Sequence, residues 1–122
     1  MEKTLRVEAR CPVRTATELL GGKWKMLIIQ QLAGGTLRFG ELKSRLPDIS
    51  EKMLVQELKI LADSDLVRRI NHGEVPPRVE YSLTEMGRAA LPLIGAFRDF
   101  GLHYMRREMG AGKAVVSSDC TE

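Results

Sequence analysis

The stretch HGEVPPRVEYSL, His72–Leu83, combines a strand pattern with two adjacent prolines. From Arg78 onward, polar and apolar residues alternate, which is typical of a half-buried β-strand. A second short β-like run, LVRRI, lies upstream at Leu66–Ile70. Proline lacks the N–H that a sheet ladder needs, so Pro76–Pro77 predicts a stiff loop between two short strands.

The composition of the 122-residue chain is that of a soluble globular protein, with 43% hydrophobic and 29% charged residues. No apolar run approaches the roughly 20 residues that span a bilayer, and the N-terminus has no apolar core of a secretory signal. We therefore expect a cytoplasmic protein that does not engage membranes. The formal net charge of +3 permits nucleic-acid binding without requiring it.

Cysteine and histidine are scarce, with two residues of each type. The chain has neither a CxxC pair nor a Cys/His cluster, which argues against a metal site. It also lacks a nucleophile motif and a glycine-rich phosphate loop, because GGK at Gly21–Lys23 does not have the Walker spacing. We expect no cofactor, no metal and no catalytic activity.

Periodicity, capping residues and prolines predict helices on both sides of the two strands. The predicted helices are Pro12–Leu20, Lys23–Ala33, Phe39–Leu46, Glu51–Asp63 with Ser50 as its N-cap, and Glu85–Met109, which Pro92 should split near Ala90. A short helix, a tight turn and a second helix form a helix-turn-helix, and the strands with their projecting loop add a wing. The fold class is therefore mainly α with a small β-hairpin. We expect a single domain over residues 1–122, with an ordered core at about 11–105 and a mobile tail at 110–122.

The fourth predicted helix separates an apolar face from a polar one. Leu54, Leu58 and Leu61 share the first face. The second face carries Lys52, Gln56, Lys59 and Asp63. Three of these four can donate hydrogen bonds, which favours DNA binding. Val55 and Ile60 on the flanks keep open the alternative of a protein-interaction module that does not bind DNA.

These patterns predict the residues that contact double-stranded DNA. The set is Arg38, Lys43, Arg45, Ser50, Lys52, Met53, Gln56, Lys59, Pro76 and Arg78. Lys52 and Gln56 should reach base edges, since lysine donates to guanine and glutamine pairs with adenine. Arg78, at the base of the wing, either meets a phosphate or pairs with Glu74 or Glu80.

The last helix carries more apolar surface than the end of one small domain needs. Phe97, Phe100 and Tyr104 are expected to pack against the first helix of a second chain, which gives a homodimer with flanking dimerisation helices. The alternative is that these aromatic side chains fold back onto their own domain.

Five motifs together resemble one family. They are CPV at 11–13, GGKWKMLIIQQL at 21–32, RFGEL at 38–42, LPDISEKMLVQELKIL at 46–61 and VPPRVEYSLTEMG at 75–87. On these motifs the chain resembles the HxlR family of bacterial winged-helix regulators. The resemblance implies a homodimeric DNA-binding transcription factor of MarR-like architecture, with the first and last helices at the dimer interface. Phe100 departs from the tryptophan of many members, a conservative change.

Cys11 immediately precedes Pro12, so it should cap or begin the first helix. The positive end of a helix dipole there favours thiolate over thiol, and Arg10 and Arg14 act in the same direction. The resemblance implies that such a cysteine senses an oxidant or electrophile, with Cys120 as a candidate resolving thiol. The alternative is a buried, inert Cys11.

Overall fold

A computed structural model describes residues 11–110 of the chain. Its elements in order are α1 (Pro12–Leu20), α2 (Lys25–Leu32), β1 (Leu37–Arg38), α3 (Phe39–Arg45), α4 (Glu51–Asp63), β2 (Val67–Asn71), β3 (Val79–Leu83), α5 (Glu85–Ala89) and α6 (Leu91–Gly110). The chain divides into two compact units between Ala89 and Ala90. The single domain over 1–122 stays a prediction, and the predicted tail lies, apart from Gly110, outside the described residues.

Helix α4 has the predicted bounds because its start is chemically specified. The Ser50 Oγ accepts a hydrogen bond from the Met53 N–H at 3.0 Å, which satisfies one of the free donors at the helix N-terminus. Glu51 adds a negative charge in the first turn, where the helix dipole favours it. The position of Ser50 as N-cap is thus confirmed.

Helix α2 begins later than the sequence predicted, at Lys25 instead of Lys23. The preceding Gly22 has a φ of 97°, a conformation that favours glycine and breaks the helical path after α1. Trp24 then takes the N-cap position. The predicted helix at Lys23–Ala33 is confirmed in type and shortened at both ends.

The sheet has three antiparallel strands in the order β1-β3-β2. The predicted hairpin is present, with Val67 opposite Leu83 and Asn71 opposite Val79. Strand β1 adds a third strand that the sequence did not predict, pairing Arg38 with Glu80 on β3. Two residues are too few to show an alternating pattern, so β1 carries no periodic signal.

The core of the first unit is built mainly by α2, α3 and α4. Its most deeply buried side chains are Ile28, Ile29, Leu32, Leu42, Ile49, Leu54, Leu58 and Leu61. Burial of each such side chain stabilises the fold by about 1.5–3 kcal/mol. Leu54, Leu58 and Leu61 of this set lie on α4. Because these three side chains face the core, the side chains on the opposite side of α4 point away from it.

The second unit begins with α6, and Pro92 stands in its first turn, where its missing N–H costs nothing. The predicted split near Ala90 is confirmed. Leu93, Phe97, Phe100 and Tyr104 recur at helical spacing and form what we call the α6 stripe, all of it exposed. Within residues 11–110, every helix falls short of the combined length and apolarity that a bilayer crossing requires.

Candidate nucleic-acid interface

The turn between α3 and α4 fixes the position of the second helix. Helix α3 ends at Arg45, and the N–H of its C-cap residue Leu46 donates to Leu42 O at 3.1 Å. The Ile49 N–H then donates to Leu46 O at 3.2 Å, and the Ile49 side chain is fully buried. This apolar anchor inside the turn fixes the position of Ser50, which is itself exposed, and with it the start of α4.

The outward face of α4 is polar and accessible. Lys52 and Gln56 are exposed one helical turn apart, and no described residue makes a hydrogen bond or ion pair with either side chain. Lys59 continues this face and lies 3.3 Å from Asp63 Oδ2, a contact in which both side chains are largely exposed. An exposed pair of this kind is worth little, so Lys59 can exchange Asp63 for another anion.

An ion pair connects α2 to the flank of α4. The Lys25 Nζ lies 2.9 Å from Glu57 Oε1, and each side chain is only 15% exposed. The contact is electrostatic and lacks the alignment of a hydrogen bond. The pair could not be predicted from the sequence, because no spacing rule links residues on different helices.

The basic residues predicted at α3 differ in how they are held. The Arg38 backbone N–H donates to Glu41 Oε1 at 2.8 Å and so caps α3. The Lys43 Nζ makes a long contact of 3.4 Å with Pro47 O. Arg45 is exposed and has no hydrogen-bonding or ionic partner among residues 11–110. Lys43 and Arg45 are therefore accessible to a phosphate.

The wing is the loop that joins β2 to β3. Gly73 has a φ of 70°, and its N–H donates to Asn71 Oδ1 at 2.9 Å, which turns the chain. The His72 N–H donates to Arg78 O at 3.0 Å and closes the base of the loop. Val75 and Pro76 are exposed in the projecting part, as expected of a wing tip.

Arg78 contacts Glu74 and Glu80, the two carboxylates that were the predicted alternative to a phosphate. Its Nη2 donates to Glu74 Oε2 at 3.0 Å, and its Nη1 lies 3.9 Å from Glu80 Oε2. Glu74 is the more exposed of the two carboxylates. In the free protein the guanidinium is therefore held by acidic residues of the wing itself.

Glu80 also belongs to a charged cluster at the wing base that was not predicted from the sequence. The His72 Nε2 lies 2.8 Å from Glu80 Oε1, and this hydrogen bond lowers the pKa of Glu80 below its usual range. Partial burial opposes the shift, while the charges of His72, Arg78 and Arg38 add to it. His72 and Glu80 are eight residues apart and meet only because the hairpin brings them together.

Cys11 occupies the N-cap of α1, as predicted. Its carbonyl oxygen accepts the Thr15 N–H at 2.9 Å, and its side chain makes no capping hydrogen bond. The thiol is free and exposed, so the alternative of a buried Cys11 is wrong for the single chain. Arg10 and Cys120 lie outside the described residues. Within residues 11–110, no three His, Cys, Asp or Glu side chains come together as a metal site would require.

These features define a winged helix-turn-helix protein: an anchored turn, a second helix with an accessible polar face, and a β-hairpin that carries the wing. The family model of the HxlR-like helix-turn-helix matches residues 19–109. The chain belongs to the HxlR-like helix-turn-helix family.

Individual relatives agree with this assignment. An uncharacterized HTH-type transcriptional regulator of Methanothermobacter thermautotrophicus is 41% identical over 87% of this chain and 81% of its own length. A crystal structure from Porphyromonas gingivalis W83, assigned to the MarR family of transcriptional regulators, is 45% identical with a TM-score of 0.73, covering 82% of this chain and 97% of that one. The redox regulator HypR in its oxidized form is 36% identical with a TM-score of 0.72, covering 76% of this chain and 96% of that one.

The winged-helix fold class is thereby confirmed, and the protein is a transcriptional regulator with a helix-turn-helix domain. Its relatives are regulators and not enzymes, in agreement with the expected lack of catalysis. The dimerisation role of α1 and α6 and the individual DNA contacts stay predictions.

Proposed function

We propose that the protein regulates transcription by binding a pseudo-palindromic operator as a homodimer, with one α4 helix in each major groove. The observation that carries the proposal is the contrast between the two faces of α4. Its leucine face is locked in the core, while Lys52 and Gln56 on the opposite face are exposed and unpaired within residues 11–110. Helix N-termini with such side chains are suited to read base edges.

Base reading belongs to the N-terminal half of α4. Lys52 donates to the O6 and N7 acceptors of guanine, and Gln56 forms a two-point contact with adenine. The other predicted residues position the helix on the phosphates or line the groove. They are Arg38, Lys43, Arg45, Ser50, Met53, Lys59, Pro76 and Arg78.

Dimerisation assigns a role to the α6 stripe. Phe97, Phe100 and Tyr104 are 57%, 71% and 51% exposed in the single chain, which supports packing against a second copy over the alternative of folding back. Helix α1 is the second helix of the proposed dimer interface. Its Val13 is 73% exposed and supplies apolar surface there. Burying such side chains between copies is favourable by the same apolar transfer that forms a core.

The proposal further includes control of DNA binding by an oxidant or electrophile that modifies Cys11. The exposed Cys11 thiol and the likeness to the redox regulator HypR support it. Oxidation to sulfenic acid or to a disulfide with Cys120 alters α1 and thereby the spacing of the two α4 helices. Diamide should release wild-type protein from DNA and leave Cys11→Ser protein bound. Equal release of both proteins would remove Cys11 from this role.

The test of DNA binding itself begins with in vitro selection from random duplexes. Affinity for the selected duplex should exceed that for a scrambled duplex by at least about a thousandfold and fall steeply with salt, since phosphate contacts release counterions. Absence of enrichment together with weak, salt-insensitive binding would favour the alternative, a protein-interaction module whose exposed Val55 and Ile60 contact a partner.

A further inference from the structure

Val55 is an apolar side chain placed among the polar groups of α4. It is the fifth residue of the helix and is 55% exposed, whereas Leu54 and Leu58 beside it are fully buried. Lys52 and Lys59 are its neighbours one turn before and one turn after. Valine contributes little to the core from this position, and as a β-branched residue it is also a weaker helix former than alanine.

The chemistry of the major groove offers such a side chain one kind of partner. Valine methyl groups cannot make hydrogen bonds, and the apolar group that B-DNA presents in the major groove is the C5-methyl of thymine. Val55 lies one turn from both Lys52 and Lys59, so it is on the same side of α4 as these two lysines, which the proposed docking turns toward the bases. We infer that Val55 is a specificity-determining residue that packs against a thymine C5-methyl beside the bases read by Lys52 and Gln56.

The other exposed aliphatic side chain of α4 provides a contrast. Ile60 is 44% exposed but lies five residues further on, about 140° around the helix from Val55. It is in the C-terminal half of α4, away from the end that docking places deepest in the groove. Ile60 is therefore the matched control for Val55.

The inference rests on the proposed operator binding, and its test uses the full chain with the duplex obtained by in vitro selection. Each thymine of a half-site is replaced in turn by deoxyuridine, which removes only the C5-methyl. One replacement should weaken wild-type binding about fourfold, the value expected for one methyl group returned to water. Val55→Ala should weaken binding to the unmodified operator by a similar factor and be insensitive to that replacement. Ile60→Ala should behave like wild type on every duplex.

Two results separate the failure of this inference from the failure of operator binding. If wild type and Val55→Ala both bind the selected duplex and respond identically to every deoxyuridine replacement, Val55 does not read thymine. The same conclusion follows if the selected half-site contains no thymine. If no duplex is enriched and binding is insensitive to salt, operator binding fails and this inference fails with it. Thermal unfolding of Val55→Ala should occur at a temperature no lower than that of wild type, because the side chain is largely outside the core and alanine is the better helix former.

Discussion

At the scale of single residues, Gln56 can contact a base because its side-chain amide is not already hydrogen-bonded within residues 11–110. Its amide is exposed, and no hydrogen bond or ion pair within residues 11–110 engages it. Gln56→Ala should therefore leave the fold intact and cost about 1–3 kcal/mol of affinity on the selected operator, since a two-point contact to adenine is lost. Fluorescence anisotropy with operator and scrambled duplexes measures this difference. Equal losses on both duplexes would assign Gln56 to non-specific binding.

His72 and Glu80 predict an effect of pH at the same scale. Because the His72 hydrogen bond and the nearby cations lower the pKa of Glu80, the folded state favours the ionised carboxylate. The resulting stabilisation is present above the ordinary pKa of glutamate and is lost as pH falls through the lowered folded-state value. His72→Ala should raise the pKa of Glu80 and reduce the difference in stability between mildly acidic and strongly acidic solution.

The measurement is an NMR titration of the Glu80 carboxyl carbon in wild type and variant. His103→Ala, which removes the other histidine from an exposed position on α6, is the matched control and should leave Glu80 unchanged. An unaltered titration of Glu80 in His72→Ala protein would show that Arg78 and Arg38 hold the carboxylate on their own.

At the scale of elements, the wing predicts competition between carboxylates and phosphate for Arg78. Transfer of the guanidinium from Glu74 to a phosphate adds one cation–phosphate contact. Arg78→Ala should therefore lower the salt slope of log affinity by about one unit per bound site. Glu74→Gln should strengthen DNA binding, because the competing charge is gone. Arg88→Ala, on α5, is the control for a general loss of positive charge.

An unchanged salt slope in Arg78→Ala protein would instead assign Arg78 to the internal structure of the wing. The contacts with Glu74 and Glu80 would then be its function, and the variant should lose thermal stability without losing a phosphate contact.

The elements also show why sequence reasoning succeeded in some places and failed in others. The bounds of α4 could be predicted because Ser50 supplies a cap and three leucines supply a period, both of which are local signals. Strand β1 and the Lys25–Glu57 pair could not, because each depends on contact between segments that are remote in sequence. The His72–Glu80 pair could not, because it depends on the register of the hairpin, which the sequence did not specify. For Arg78 the sequence allowed either a phosphate contact or a pair with Glu74 or Glu80. Only the geometry of the wing places its guanidinium beside Glu74.

At the scale of the whole molecule, the α6 stripe predicts an obligatory second copy. Sedimentation at low micromolar concentration should show a dimer for wild type, because the exposed aromatic side chains are most favourably covered by another chain. Phe100→Glu places a charge in the most exposed part of the stripe and should give monomers. Arg106→Glu introduces the same side chain on α6 outside the stripe and should stay dimeric. A monomeric wild type would rule out this assembly.

The dimer and the operator constrain each other through geometry. In the proposed dimer a two-fold axis would relate the two α4 helices, so two half-sites one helical turn apart, about 34–36 Å, or a multiple of that distance, should be read together. Phe100→Glu should therefore lose far more affinity for a full operator than for a single half-site, whereas Gln56→Ala weakens binding to both. Lengthening the spacer between half-sites by about five base pairs rotates them to opposite sides of the duplex, and wild-type affinity should fall to the half-site value. Undiminished binding to the lengthened operator would mean that each chain binds DNA on its own.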